Sequence, residues 1–330
     1  MGKMAYMKEG HVYFHSPCFD GVVSAALVTD RMESQEGWSR SCLHVVNYDI
    51  RDTWLTQKLD RPAAAVDFLF HPDANFWADH HSTTFLARKP RLLPRNPNFT
   101  YDPSADSCAG LLWRHFIKAF GYQNNRLRQP VVWAEKIDAA RYESVEEAFS
   151  LQAPALRINA ALSQSEGDAF PILLVHSLRR HTLSDVAAIP EVVQRYERYK
   201  TLTDAGLSRF KRSCWLEEGI VVFDVEAGET LISRYAPYLF FPDALYSAGI
   251  IRTPQEAKIT VMRNPWREFK SAPLGKFCEL FGGGGHERVG AVRLRGNRVT
   301  EAKDVLNSIL SEIRRHEKQG FLNGRAIQSL

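Results

Sequence analysis

The first 80 residues alternate short apolar, β-branched runs with a helix-spaced segment, and several runs end on a residue able to bind a cation. Val12-Tyr13-Phe14 reads as a strand that ends at His15. Gly21 to Arg31 then sets Val22, Ala25, Ala26 and Leu27 at helical spacing, with Asp20 where an N-cap belongs. Leu43 to Tyr48, Ala63 to Phe70 and Asn75 to Ala78 are further strand candidates. Strand and helix in alternation predict an α/β domain with a mainly parallel sheet. Such sheets collect ligands at the carboxyl ends of their strands, and His15, Asp67 and Asp79 stand at or near those ends.

Further along, Cys108 to Phe120 is a strongly amphipathic helix with Ser107 or Asp106 as its cap, and Gln129 to Arg141 contains a helical segment carrying Asp138. Pro190 to Arg212 is polar, charged and helical in pattern, and reads as a connector. Gly219 to Asp224 opens a strand-rich unit, Val289 to Leu294 adds a strand, and Thr300 to His316 closes with a helix. A length of 330 residues fits two domains. Their expected bounds are 1–189 for a parallel-sheet domain, 190–212 for the connector and 213–330 for a smaller α/β domain. No internal repeat or low-complexity segment interrupts this plan.

No run approaches the roughly 18 consecutive apolar residues of a membrane span, and no secretory signal is visible at the amino terminus. The cysteines at 18, 42, 108, 214 and 278 are odd in number and never spaced CxxC. That argues against a disulfide framework or structural zinc and for a reducing cytoplasm. A net charge of +4 does not itself argue for nucleic-acid binding. Local basic stretches from Arg88 to Arg95 and from Arg314 to Arg325 are the candidates for it, each also readable as solvated surface.

The chemistry concentrates at three strand ends: His15-Ser-Pro-Cys18-Phe-Asp20-Gly21, then Asp67, then Asp79-His80-His81. An ionised carboxylate within an apolar strand is costly unless paired or bound to metal. Carboxylate and imidazole together suit borderline or hard divalent ions, and carboxylates shared by two ions about 3.5–4 Å apart serve phosphate-ester hydrolysis. Taken singly, Asp20 is an N-cap, Asp67 a partner for some Arg or Lys, and His80-His81 filler. Three successive strand ends favour a metal site.

In order, HxxCxDG from His15 to Gly21, a strand ending in Asp67, Asp79-His80-His81-Ser82 and the late GGGGHERVGA from Gly282 to Ala291 resemble the DHH phosphoesterase superfamily. The last motif is similar to its DHH-associated C-terminal domain, and the likeness spans His15 to about Leu294. The resemblance implies two divalent ions, usually manganese, with magnesium the alternative. His15 and Asp67 would serve the first; Asp20, Asp67, His80 and Asp138 the second, with Asp67 bridging. Asp79 would orient a histidine ligand, and His81 would contact the scissile phosphate. Cys18 stands where many members carry the first of two aspartates. As a soft ligand it would bind a softer ion, lie nearby, or leave the first site weak.

The four glycines can expose backbone N–H groups to an anion, or simply make a tight turn. Arg263 is the best basic candidate to fork onto a phosphate. The family parallel assigns Arg263, Gly283, Gly284, Gly285 and His286 to holding the substrate, with the connector allowing closure over it. Relatives of RecJ type that degrade long strands usually carry further modules, for which this chain has no room. Short oligonucleotides, dinucleotides or a phosphorylated adenosine nucleotide are therefore expected, with Trp266 or Tyr246 available to stack on a base. Polyphosphate is the alternative substrate, and a small non-nucleotide ester a third. A catalytically silent nucleotide-binding protein is the alternative of another class. A homodimer is compatible with the sequence, which identifies no protein partner.

Overall fold

A computed structural model describes residues 8–87 and 96–327, so the basic stretch Arg88 to Arg95 lies outside the described residues. The chain divides into two compact units, 1–142 with 150–199 and 143–149 with 200–330. No helix among the described residues is long and apolar enough to cross a membrane.

In the first unit, β1 (Lys8–His15), β2 (Trp38–Val46), β3 (Ala63–Val66), β4 (Phe76–Asp79) and β5 (Phe99–Tyr101) form one sheet. Its order is β2-β1-β3-β4-β5 and every pairing is parallel. Both faces are covered, which is why the central strands read as unbroken apolar runs. Val12 and Phe14 join Ala64, Val66 and Ala78 in a core with α1 (Phe19–Gln35), α2 (Cys108–Phe120) and α3 (Asn125–Asp138). The alternate residues Tyr13, Ala63, Ala65 and Trp77 face a second core with Trp54, Leu59 and Phe68. The helices α5 (Pro154–Leu162), α6 (Ala169–Arg180) and α7 (Leu183–Ala187) complete the helical layer, while the short α4 (Val145–Ser150) before them falls almost wholly in the second unit and α8 (Pro190–Arg212) runs from the first unit into the second.

Local chemistry sets several of these bounds. The Ser107 hydroxyl accepts from the Gly110 N–H at 2.9 Å and Gly121 ends α2 in a left-handed cap at φ 62°. Two expectations need correction. The N-cap of α1 is Cys18, not Asp20, because Asp20 sits in the first turn and spends its carboxylate on another helix. The strand expected over Ala63 to Phe70 stops at Val66, where Asp67 turns to φ 53° and Phe68 and Leu69 drop into the second core.

The second unit holds β6 (Cys214–Glu217), β7 (Ile220–Glu226), β8 (Tyr246–Arg252), β9 (Glu256–Arg263), β10 (Gly284–His286) and β11 (Val289–Arg295). They form a sheet of order β10-β11-β9-β8-β7-β6, antiparallel except for β7 with β8. Ile220 and Val222 face a core built with α10 (Leu274–Glu279) and α11 (Ala302–Ile327), while Val221, Phe223 and Val225 pack on Phe210 and the short α9 (Ala236–Phe240).

Candidate metal centre

A 2-1-3-4-5 parallel sheet reverses its winding between β1 and β3, and the crevice outside the carboxyl ends there is where such folds bind ligands. His15 ends β1 and Asp67 follows β3 directly. Asp79 ends β4, carrying His80 and His81 beyond it. Asp67 is held by its backbone: its N–H donates to the Ala78 carbonyl at 3.0 Å. The next two carbonyls are pinned by buried indoles, Trp77 Nε1 donating to Phe68 O and Trp54 Nε1 to Leu69 O, each at 3.0 Å. Aspartate is among the few side chains that tolerate this left-handed conformation.

Gly21 lets α1 start against this point. A Cβ there would lie 2.0 Å from the His15 carbonyl oxygen and 3.1 Å from Asp67 Oδ2. Beside it, Asp20 accepts from the Cys108 and Ala109 N–H groups at 2.7 and 2.8 Å, so its two oxygens close the amino terminus of α2. Asp138 is the last residue of α3, where the negative end of the helix dipole disfavours a carboxylate unless a cation is near.

The donors converge. His80 Nε2 lies 3.3 Å from Asp138 Oδ2 and 3.7 Å from both Asp20 Oδ2 and Asp67 Oδ1. His15 Nδ1 is 3.4 Å from Asp67 Oδ2. Cys18, His15 and Asp67 bring ligand atoms within 4.8 Å of one another, as do Asp20, His80 and Asp138. His80 Nδ1 stands 3.0 Å from the Ala105 carbonyl, which fixes the proton there and leaves Nε2 with its lone pair toward the cluster. Asp79 Oδ1 accepts from the His80 and His81 N–H groups at 2.8 and 3.3 Å and meets His81 Nδ1 at 2.8 Å.

Burial and the mutual proximity of the acids dominate the electrostatics of the cluster. Burial, then the charges of Asp20, Asp79 and Asp138, pushes the Asp67 carboxyl well up. Burial also raises Asp20, against His80 and the two α2 amides. Burial and the neighbouring His81 lower His15 to about 4, so it is neutral and free to ligate. Burial and the acids raise the Cys18 thiol well above its ordinary range. For His81 burial acts downward, but Asp79 and the other carboxylates outweigh it and hold its pKa up. His15 Nδ1, both Asp67 oxygens, Asp79 Oδ2 and His80 Nε2 are buried without a hydrogen-bond partner. Buried polar atoms are ordinarily satisfied, and oxygen with imidazole nitrogen is the donor set of a divalent ion. The residues fit such a group.

The sequence reading missed Tyr48, edge-on to His15 at 5.0 Å and His81 at 6.3 Å, and the Ala105 carbonyl behind His80. An aromatic residue two positions beyond β2 was the available signal for the first; a backbone carbonyl leaves none.

In the second unit, Arg263 ends β9, with its guanidinium over Phe269 at 4.5 Å, one amino group donating to the Arg267 carbonyl and Nε buried without a partner. Its N–H donates to the Arg288 carbonyl, and β11 pairs Val289 with both Met262 and His286, so these positions share one end of the sheet. The His286 side chain lies outside what is described. The glycines are not the open anion loop expected of them, for Gly284 and Gly285 belong to edge strand β10. A Cβ on Gly283 or Gly285 would sit 2.2 Å from a β11 carbonyl oxygen, which explains those two by packing, whereas Gly284 faces open space. Tyr246 is not an exposed stacking surface: it is buried, donates to Glu317 and accepts from the Ala272 N–H. Trp266 packs edge-on to Tyr235 at 5.6 Å.

No family model matches the sequence, and no curated protein does. Among solved structures, DHH-domain proteins share this architecture, and the chain has the fold of the DHH phosphoesterase superfamily. It is similar to the pGpG-specific phosphodiesterase PggH of Vibrio cholerae at a TM-score of 0.70 and 18% identity, over 93% of this chain and 99% of that one. RecJ of Thermus thermophilus, in complex with Mn2+, matches at 0.60 and 14%, over 94% of this chain but 52% of RecJ. An exopolyphosphatase-related protein of Bacteroides fragilis matches at 0.54 and 14%, over 94% of each.

Proposed function

We propose that the first unit is the reaction centre of a divalent-metal-dependent phosphoesterase acting on short oligonucleotides or linear dinucleotides. The convergence of buried, unpartnered donor atoms of His15, Asp67, Asp79 and His80 at the switch point carries this reading. His15 and Asp67 would hold one ion, with Cys18 beside them, and Asp20, Asp67, His80 and Asp138 would hold another. The Asp20 oxygens that close α2 retain lone pairs for a cation. Manganese, or next magnesium, held by these residues would supply Lewis-acid charge to a phosphoryl oxygen and acidify a bound water. With Nδ1 engaged by Asp79, His81 offers Nε2–H as a donor to the scissile phosphate, and its raised pKa favours the charged form. Asp79 is the residue that positions it.

Anion recognition falls to the second unit, through Arg263 and the open side of Gly284. The pGpG-specific phosphodiesterase PggH, with which this chain shares its fold nearly from end to end, supports a dinucleotide. The test incubates purified protein and manganese with linear dinucleotides, short RNA, short DNA, adenosine bisphosphate and polyphosphate. Dinucleotide or oligonucleotide cleavage that is lost in Asp67→Asn and His80→Ala is the expected result. Cleavage of polyphosphate alone overturns the substrate class, and binding without hydrolysis of any member overturns the enzymatic reading.

A further inference from the structure

A second group of metal-ligand side chains lies away from the centre just described. His11 on β1, His44 on β2 and Asp60 before β3 bring one ligand atom each within 4.8 Å of one another. His11 and His15 are four residues apart on one strand, a rise of about 13 Å, so the two groups cannot share an ion. The geometry points to a separate binding site for a borderline transition ion of the zinc class, held by His11, His44 and Asp60.

The two imidazoles face each other with His11 Nδ1 3.0 Å from His44 Nε2. Two imidazole nitrogens on one tetrahedral zinc, each at 2.0–2.1 Å, are separated by about 3.3 Å. The rings therefore need to open by only a few tenths of an ångström, and exposed Asp60 is free to swing the remaining distance. Without an ion the two rings share a hydrogen bond between these nitrogens, whereas the backbone satisfies His71 on both sides. His71 is buried, with Nε2 3.1 Å from the Gln57 carbonyl and Nδ1 accepting from the Asp73 N–H at 3.0 Å.

The surroundings orient the donors. His44 stacks on Tyr13 at 4.5 Å between centroids and 14° between planes, and the Tyr13 hydroxyl accepts from the Asp60 N–H at 3.1 Å. One side chain thus fixes both a ring and the backbone of a carboxylate ligand, the supporting role that metal sites require. Two nitrogens and one oxygen leave a fourth position for water or an exogenous ligand. An ion here would tie edge strand β2 to β1 and to the segment entering β3.

The test measures zinc retained after dialysis by wild type, His44→Ala and Asp60→Asn, each also in an Asp67→Asn background that weakens the first centre. His44→Ala is expected to lower zinc content by one ion per chain in both backgrounds, and Asp60→Asn to weaken its affinity about tenfold or more. Equal zinc content in wild type and a folded His44→Ala protein overturns the site. If His44→Ala does not fold, Asp60→Asn decides, because an unchanged zinc affinity in that exposed-loop variant overturns it equally.

Discussion

Neither oxygen of Asp67 accepts from a backbone amide, whereas both oxygens of Asp20 are filled by the first amides of α2, and this difference sets what an amide replacement does at each. The raised pKa of Asp67 means the fold favours its protonated form. That stability is fully present below the ordinary value of 3.8 and is lost as pH rises through the folded value. Above that ordinary value the metal-free protein therefore bears the cost of this buried carboxyl, either as charge or as a bound proton. Asp67→Asn removes that cost, and asparagine also tolerates φ 53°. In EDTA at neutral pH, Asp67→Asn should be more resistant to urea than wild type by about 1–3 kcal/mol. The gap should close toward pH 4, and the order should reverse with manganese present. Asp20→Asn should show the opposite sign in EDTA, a loss of about 1–2 kcal/mol, because its amide NH2 would confront a helix N–H. Equal urea midpoints for Asp20→Asn and wild type would refute the clasp.

At the scale of elements, the centre depends on how closely β1, α1 and the turn after β3 approach. A methyl at position 21 would enter the His15 carbonyl, so Gly21→Ala should cost about 2 kcal/mol or more and abolish the rise in melting temperature on adding manganese. Trp77→Phe keeps most of the apolar volume but removes the indole N–H that holds Phe68 O. It should destabilise by about 1–3 kcal/mol in urea unfolding and lower manganese affinity by calorimetric titration. Elements with local signals were legible in the sequence: a cap at Ser107 and an amphipathic face mark α2 at Cys108–Phe120. The convergence of His15, Asp67, His80 and Asp138, the proposed ligands, was legible from strand ends and motif order. Asp20 clasping a helix 88 residues away, Trp54 and Trp77 pinning the turn and Ala105 fixing the His80 tautomer were not. Each is a contact between segments whose own sequences carry no trace of the other. The glycine run allowed two readings for a related reason, since β11 is what demands two of its members.

Across the whole molecule, the proposed ligands come from the end of β1, the residues just after β3 and β4, and the first and last turns of α1 and α3, with α2 tied in through Asp20. An ion there would join segments from His15 to Asp138, all in the first unit. The mixed sheet of the second unit contributes none of these side chains. Ion binding to the folded state alone adds about 2.7 kcal/mol at a concentration one hundred times the dissociation constant. Amide hydrogen exchange with and without manganese should therefore show increased protection at the first turns of α1 and α2 and at the turn after Asp67, with β7 to β9 unmoved. The effect has a definite pH sign. Asp67 and Asp20 have raised pKa values, so protons compete with the ion for the same oxygens, and the added protection should shrink as pH falls from neutral toward the ordinary carboxylate range. Protection that grows on acidification, or that rises equally in β7 to β9, would place the ion elsewhere.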